Sequence, residues 1–553
     1  MVWYNKTMEP APKDPWYRHS TLYHIYPLSF SDSNGDGYGD LRGIIDHLDY
    51  LNNGEADSLG VSAVWLSPIY LSPMADWGYD VADHTAIDPR FGTMADFDEL
   101  LDKLHQRGIK LLLDYVPNHT SELHKWFMEA RTSKDSPKRD WYIWADPGKD
   151  GGTPNNWVSY FGGPAWTLDE KTGQYYLHTF LPQQPDLNWR NPEVRDAMLD
   201  VLRFWLNKGV DGFRTDAVLG LIKDSDLRDD DPNPNWRPGV TDPADEFIRT
   251  RSSEQNELSK VVGSFCDVLA EKESTFLLSE AYLNIPGLHK MYQACARHPV
   301  HAPFNFNLMG LPWSAAAYRD FIDSYEAMLG PDDWPNYVLG NHDKHRLASR
   351  LGAERARLMA VLELTLRGLP VVYYGDELGL PDTPIGATEV RDPWEQRVTG
   401  RGYGRDPERT PMPWSGENGG GFTTETPWLP LGSASANLNV ESERRDPQSS
   451  LNLYQHLIHL RAQSPALIEG DYRSIDLGNG YVYGFIRETE RQRFLVMLNF
   501  DFNPATVTLH GRVGNWAAGT HLVEGDGLAG AEGELELAAY EGRVYELMQR
   551  ETS

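Results

Sequence analysis

Eight short apolar runs alternating with amphipathic stretches predict an α/β fold: a (β/α)8 TIM barrel, with an inserted B domain after strand 3 and an antiparallel β domain at the C-terminal end. The runs are Leu22–Phe30, Ala63–Pro68, Lys110–Val116, Gly212–Val218, Phe276–Tyr282, Phe304–Met309, Tyr337–Asp343 and Val371–Glu377. Runs that are apolar on both faces suit buried parallel strands, and parallel strands need helical crossovers between them. Met94–Gln106 supplies such a crossover, with Phe97, Leu100, Leu101 and Leu104 at helical spacing, and Val194–Leu206 supplies another. A doubly wound open sheet alternates in the same way, and periodicity alone does not separate the two.

Two segments break the alternation. From Asn118 to Asp186 the chain is rich in Trp, Tyr, Pro, Gly and Asn, too long for an ordinary loop and too aromatic for disorder, so it reads as an inserted unit. After the helical stretch Leu451–Ser464, the runs Gly480–Arg487, Phe494–Phe500 and Ala505–Leu509 are separated by turn residues, as in a small antiparallel domain. The expected division is a barrel over 1–117 and 187–467, an insertion over 118–186 and a C-terminal domain over 468–553.

Composition narrows the function classes. Eighty-one Asp and Glu against 51 Lys and Arg give a net charge of −30, which repels phosphate backbones and anionic bilayers, so neither nucleic acid nor a membrane is an expected partner. No apolar run serves as a signal-peptide core or reaches membrane-span length, which makes cytoplasmic the default location. The Asn5-Lys6-Thr7 triplet then reads as a chance match to a glycosylation acceptor. Two cysteines, Cys266 and Cys295, are too few for a disulfide framework and stand in no zinc motif, which fits a reducing compartment. Nothing in the sequence sets the oligomeric state.

In a barrel of this type the C-terminal ends of the strands surround one mouth. The third run ends in Asp114 and leads to Asn118-His119, the fourth holds Arg214 and Asp216, the fifth reaches Glu280, and the seventh ends Asn341-His342-Asp343. Singly, each acid is more often a cap or a surface ion-pair partner. Together, at successive strand ends, Asp216, Glu280 and Asp343 read as a catalytic set. Arg214 and Asp216, two apart on a strand, share a face, so the guanidinium is expected to hold Asp216 ionised as a nucleophile. Glu280, on an apolar run among negative charges, is expected to keep its proton and act as an acid. An acid and a nucleophilic carboxylate facing each other are the arrangement for cleaving a glycoside, with a third carboxylate free to hold sugar hydroxyls.

The segments DYVPNH (Asp114–His119), GFRTDAV (Gly212–Val218), LLSEAY (Leu277–Tyr282) and LGNHD (Leu339–Asp343) resemble the four signature regions of the α-amylase family, glycoside hydrolase family 13. QPDLN (Gln184–Asn188) resembles a fifth region as found in its α-glucosidase and oligo-1,6-glucosidase group, and DWGYDVADH, FGTMADF and RTPMPW match as well. The resemblance implies Asp216 as nucleophile, Glu280 as general acid/base and Asp343 as transition-state stabiliser. It also implies that Arg214 orients Asp216, that His119 and His342 bond sugar hydroxyls, that Asp76 and Arg409 pair behind a non-reducing glucose, and that Tyr79 stacks under it. A pocket closed in that way admits a chain end, so the implied activity is a retaining, exo-acting α-glucosidase on small α-glucosides, with possible transglucosylation. Within the group Val after the nucleophile accompanies α-1,6 preference and Thr or Ala α-1,4; Ala217 therefore implies α-1,4 bonds such as maltose. The alternatives are an oligo-1,6-glucosidase (isomaltase) or a trehalose synthase-like glucosyltransferase, with a phosphorylase and a non-catalytic barrel ranked lower.

Asp32, Asn34, Asp36, Tyr38 and Asp40 fall at alternate positions around Gly37, like the first nine positions of an EF-hand loop, with Tyr38 offering its carbonyl and Gly43 standing where a bidentate Glu would be. An ion-free Asp/Gly turn has the same composition. The resemblance implies a structural Ca²⁺ or Mg²⁺ there.

Overall fold

The computed structural model describes residues 15–509, 514–521 and 533–547. The Asn5-Lys6-Thr7 triplet lies outside them. Eight parallel strands form one sheet: β1 (Leu22–Ile25), β2 (Ala63–Leu66), β3 (Lys110–Tyr115), β4 (Gly212–Thr215), β5 (Phe276–Ser279), β6 (His301–Pro303), β7 (Asn336–Val338) and β8 (Leu369–Tyr373). The ladder runs β6-β5-β4-β3-β2-β1-β8-β7, so the sheet curls until its two edges meet. No ladder joins β6 to β7 among the described residues; the Val338 amide donates to the Asn305 carbonyl at 3.2 Å and bridges the seam. The doubly wound alternative is thereby excluded.

Local chemistry explains the crossovers. Thr93 and Asp96 form a reciprocal capping box at the start of Met94–Gln106, whose buried face is Phe97, Leu100, Leu101 and Leu104. Asn191 caps Pro192–Lys208, with proline in the first helical position, and Gly209 ends it in the left-handed conformation that glycine tolerates. The sixth strand departs from the sequence reading: it is His301–Pro303, and Asn307–Gly310 beyond it is a 3-10 turn. A strand beginning with histidine looks polar, but His301 is buried and Nε2 sits 2.9 Å from Ser279 Oγ on β5.

Between β3 and β4 lies a three-stranded antiparallel sheet of Trp144–Ala145, Gln174–Leu177 and Trp166–Asp169. Beyond the helix Ser450–Ala462 comes a five-stranded antiparallel sheet, ordered Asp471–Ile475, Val482–Glu488, Arg493–Asn499, Gly542–Glu546 and Asn515–Gly519, with a separate pair Ala505–Leu509 and Gly533–Leu537. No helix among the described residues is long and apolar enough to cross a membrane.

Cys266 and Cys295 are joined in a disulfide, a pairing the sequence reading did not expect. One lies in the helix Leu258–Leu269 and the other caps the next helix, Ile285–Ala294, so pairing comes from helix packing and leaves no mark in sequence spacing. The bond closes a loop of 29 residues, and removing it with Cys295→Ser should cost about 3 kcal/mol in denaturant unfolding. Protein denatured without reductant should show no titratable thiol.

Candidate active site

The site starts from strand register. In the β3–β4 ladder Asp114 is the direct partner of Arg214, so their side chains share a face of the sheet about 4.8 Å apart. Arg214 is fully buried, and its guanidinium carbon sits 5.0 Å from the centroid of the Trp65 ring on β2. Nη1 lies 2.8 Å from Asp114 Oδ1 and 2.8 Å from Asp216 Oδ1, and Nη2 lies 2.7 Å from Glu280 Oε2. The amide of Ala217 also donates to Glu280 Oε2, at 3.0 Å. One cation therefore gathers the ends of β3, β4 and β5.

A second cation gathers the remaining loops. Arg405 lies 2.7 Å from Asp76, 2.9 Å from Asp392 and 3.3 Å from Asp343. This corrects the expected pairing of Asp76 with Arg409. Arg409 instead donates to the His342 carbonyl at 2.7 Å and to Asp343 Oδ1 at 2.8 Å. The two arginines stand at either end of a 3-10 turn, Asp406–Glu408, and the nearer to Asp76 is the first. Gln184 supports the same carboxylate, its amide donating to Asp76 Oδ2 at 3.0 Å.

Tyr79 is buried, with its ring parallel to His342 at 5.3 Å between centroids. Its hydroxyl lies 3.0 Å from Asp114 Oδ2 and 2.7 Å from His342 Nε2. His119 Nε2 sits 3.1 Å from the Tyr79 carbonyl and 3.1 Å from Gln184 Nε2. Burial pushes the His119 imidazole down to about 4 and His342 well below its ordinary value, so both are neutral rings able to donate or accept a hydrogen bond.

Arg214 contacts Glu280 as well as Asp216, so it is not reserved for Asp216 as the sequence suggested. Burial raises the Asp216 carboxyl well above the usual range, and Glu280, Asp114 and Asp343 push it the same way against the pull of Arg214. Burial likewise lifts Asp114 to about 6. For Asp343 burial opposes the charge, but His342, Arg405 and Arg409 outweigh it and hold the carboxyl well below the usual range. The resulting cluster keeps Asp343 charged while burial works against charge on Asp114 and Asp216.

These groups line a cavity of about 370 Å³. Asp76, Tyr79, His119, Asp216, Glu280, His342, Asp343 and Arg405 face it, while Arg214 and Arg409 stand behind. Tyr160, Phe161, Phe180, Tyr282 and Trp394 add aromatic walls, and Leu219 and Gly220 border it from the loop after β4. Arg405 and the aromatic walls were not among the residues singled out from sequence, and Asp114, named there at its strand end, had no role assigned. Arg405 had one available signal, its place four residues before Arg409 in Arg-Asp-Pro-Glu-Arg. The metal-loop residues Asp32–Asp40 are not among the residues lining this cavity.

A neutral buried imidazole has a stability signature. The unfolded ring takes its proton near pH 6.5 and folded His119 near 4, so the unfolded state binds more protons in that window and stability falls as pH drops through it. The ring signals of His119 and His342, assigned with ¹³C-labelled histidine and single variants, should not titrate between pH 8 and 5. A midpoint near 6.5 in either would refute the neutral assignment.

Residues 24–470 match the family model described as alpha amylase, catalytic domain. The chain is 40% identical over 514 residues to an alpha-glucosidase of Culex pipiens, covering 91% of this chain and 84% of that one. It is 38% identical over 527 residues to an oligo-1,6-glucosidase of Parageobacillus thermoglucosidasius, covering 88% and 90%. Among solved structures it is similar to the alpha-glucosyl transfer enzyme XgtA, with a TM-score of 0.88 at 38% identity over 97% of this chain and all of that one. The trehalulose synthase MutB of Pseudomonas mesoacidophila matches with a TM-score of 0.86 at 33% identity, over the same shares of the two chains. The chain belongs to the α-amylase family of glycoside hydrolases, glycoside hydrolase family 13.

Proposed function

We propose that this glycoside hydrolase is a retaining, exo-acting α-glucosidase that releases α-glucose from the non-reducing end of short α-glucosides, with α-1,4 bonds preferred. The carrying observation is the pair Asp216 and Glu280, held on the two terminal nitrogens of one buried Arg214 and facing a cavity that Asp76 and Arg405 also line. The named alpha-glucosidase and oligo-1,6-glucosidase relatives support this reading.

Asp216, in the ionised form that Arg214 favours against burial, attacks the anomeric carbon as Glu280 gives its proton to the departing oxygen, and the C–O electron pair leaves with the aglycone. Glu280 then takes a proton from water, whose oxygen enters on the face the aglycone left, opposite Asp216, and displaces the Asp216 carboxylate, so the α configuration is retained. Asp343, held ionised, and the surplus of carboxylates over the three arginines favour the positive charge that develops on the sugar ring. His119 and His342 bond hydroxyls as neutral donors. Ala217 presents only a methyl group to the cavity, leaving room for the leaving-group sugar.

Transfer to a sugar hydroxyl is the competing outcome. Five aromatic side chains on the cavity wall disfavour bulk water and offer stacking faces to an acceptor ring, and two of the similar solved structures are named for glucosyl transfer and for trehalulose synthesis. Rates on maltose, isomaltose, trehalose and sucrose separate the readings. Asp216→Asn should lower release of p-nitrophenol from its α-glucoside by about 10⁴-fold or more with the fold intact. NMR of fresh product should show α-glucose first; β-glucose first would end the retaining assignment.

The loop Asp32–Asp40 is proposed to hold a structural Ca²⁺ or Mg²⁺. Its donors are all oxygen, as either ion requires. Gly37 has φ +89°, and a Cβ there would sit 2.3 Å from the Thr426 carbonyl, so this turn accepts only glycine. The amides of Asn34, Gly35 and Gly37 point at the Asp32 carboxylate and curl the loop around it. Asp40 bonds Ser33 and caps the helix Leu41–Asp46 through the Gly43 amide, so it would act on an ion through water. Asp32, Asn34, Asp36 and the Tyr38 carbonyl would be the direct ligands. A chelator should lower the melting temperature by a few degrees and added Ca²⁺ should restore it, since an ion at about 100 times its Kd contributes about 2.7 kcal/mol.

A further inference from the structure

Outside the cavity, the loop after β7 and two separate stretches of the long connection after β8 bring together a second set of ligating side chains. His345, two residues beyond Asp343, places Nδ1 2.9 Å from Asp382 Oδ2 and 3.5 Å from Glu408 Oε2. The three ligating atoms lie within 4.8 Å of one another. A single imidazole nitrogen carries at most one hydrogen, so it cannot serve two carboxylates. Asp382 takes the shorter contact. Its other oxygen accepts from the Arg346 amide at 2.7 Å, which turns Oδ2 toward the imidazole. Glu408 is only 2% exposed, and its Oε2, aimed at the same point, has no hydrogen-bond partner. A buried carboxylate oxygen left in this way is costly unless a cation or a proton meets it, and burial lifts the Glu408 carboxyl to about 8 when no cation is there.

We propose that His345 Nδ1, Asp382 Oδ2 and Glu408 Oε2 form a three-ligand site for a divalent first-row transition-metal ion of the Zn²⁺ type, distinct from the Asp32–Asp40 loop. Zinc bonds to nitrogen and carboxylate oxygen near 2.1 Å, which places neighbouring ligand atoms roughly 3.4 Å apart in a tetrahedral shell. The spacings of 2.9 and 3.5 Å need only small side-chain adjustment to meet it. The imidazole nitrogen argues against Ca²⁺ and Mg²⁺, which take oxygen shells. His345 is half-exposed, so water has access to the fourth position. The ion ties the loop that carries Asp343 to the turn that carries Arg405 and Arg409, and acts on the catalytic pocket by positioning those side chains.

The full chain, stripped with chelator and returned to excess Ca²⁺ so that the oxygen loop is satisfied, is equilibrated with Zn²⁺. Zinc per chain is measured by elemental analysis and the melting temperature by calorimetry. The expected result is one zinc per chain beyond what His345→Ala retains, with a rise in melting temperature that this variant lacks. His345→Ala tests the site without disturbing the core because the side chain is half-exposed, and Asp382→Asn should behave in the same way. Equal zinc in the parent and His345→Ala, or no zinc retained by the parent at micromolar free metal, would overturn the proposal.

Discussion

The guanidinium of Arg214 is the constraint on which the rest of the site depends. Three carboxylates, Asp114, Asp216 and Glu280, approach one another in a region closed to solvent, where each uncompensated charge would cost several kcal/mol. A single cation that contacts all three makes the arrangement possible, and its rigid fork fixes their directions. Trp65 backs it on one side and strand register places it on the other, so its position is set by the barrel itself. Lysine would not substitute, because an ammonium group lacks the two planar terminal nitrogens that separate Asp216 from Glu280.

Arg405 and Arg409 do for the loops what Arg214 does for the strands. Asp76, Asp343 and Asp392 come from three distant parts of the chain and converge on this pair. The two halves of the site are then linked through Tyr79, whose hydroxyl touches Asp114 on the Arg214 side and His342 on the other. A catalytic pocket built in this way is pre-organised before any sugar arrives, with few groups left to reorient as charge develops.

Much of this was legible in the sequence because buried strands must be apolar and their ends must carry the chemistry. Five of the eight runs contain the observed strand and two more overlap it, and Asp216, Glu280 and Asp343 reach one cavity as their positions implied. The sixth strand was misplaced because His301 is a buried histidine satisfied by Ser279, which hydropathy scores as surface. The partner of Asp76 was misassigned because two arginines four residues apart on a tight turn cannot be told apart without its geometry. The Cys266–Cys295 bond was missed for a similar reason: helix packing across 29 residues has no periodic signature. The contact of Arg214 with Glu280 was not legible, because a two-residue spacing argument places the guanidinium beside Asp216 and says nothing of the next strand.

The seam between β6 and β7 bears on how Asp343 is held. The other strands form a continuous hoop of main-chain bonds, and at the seam a single Val338–Asn305 link replaces the ladder. Asp343 follows β7 and must face Glu280, which follows β5, across this thinnest part of the wall. Its alignment therefore owes less to the sheet than to the clasp of Arg405 and Arg409, which fastens the third carboxylate from the side of the seam away from Glu280.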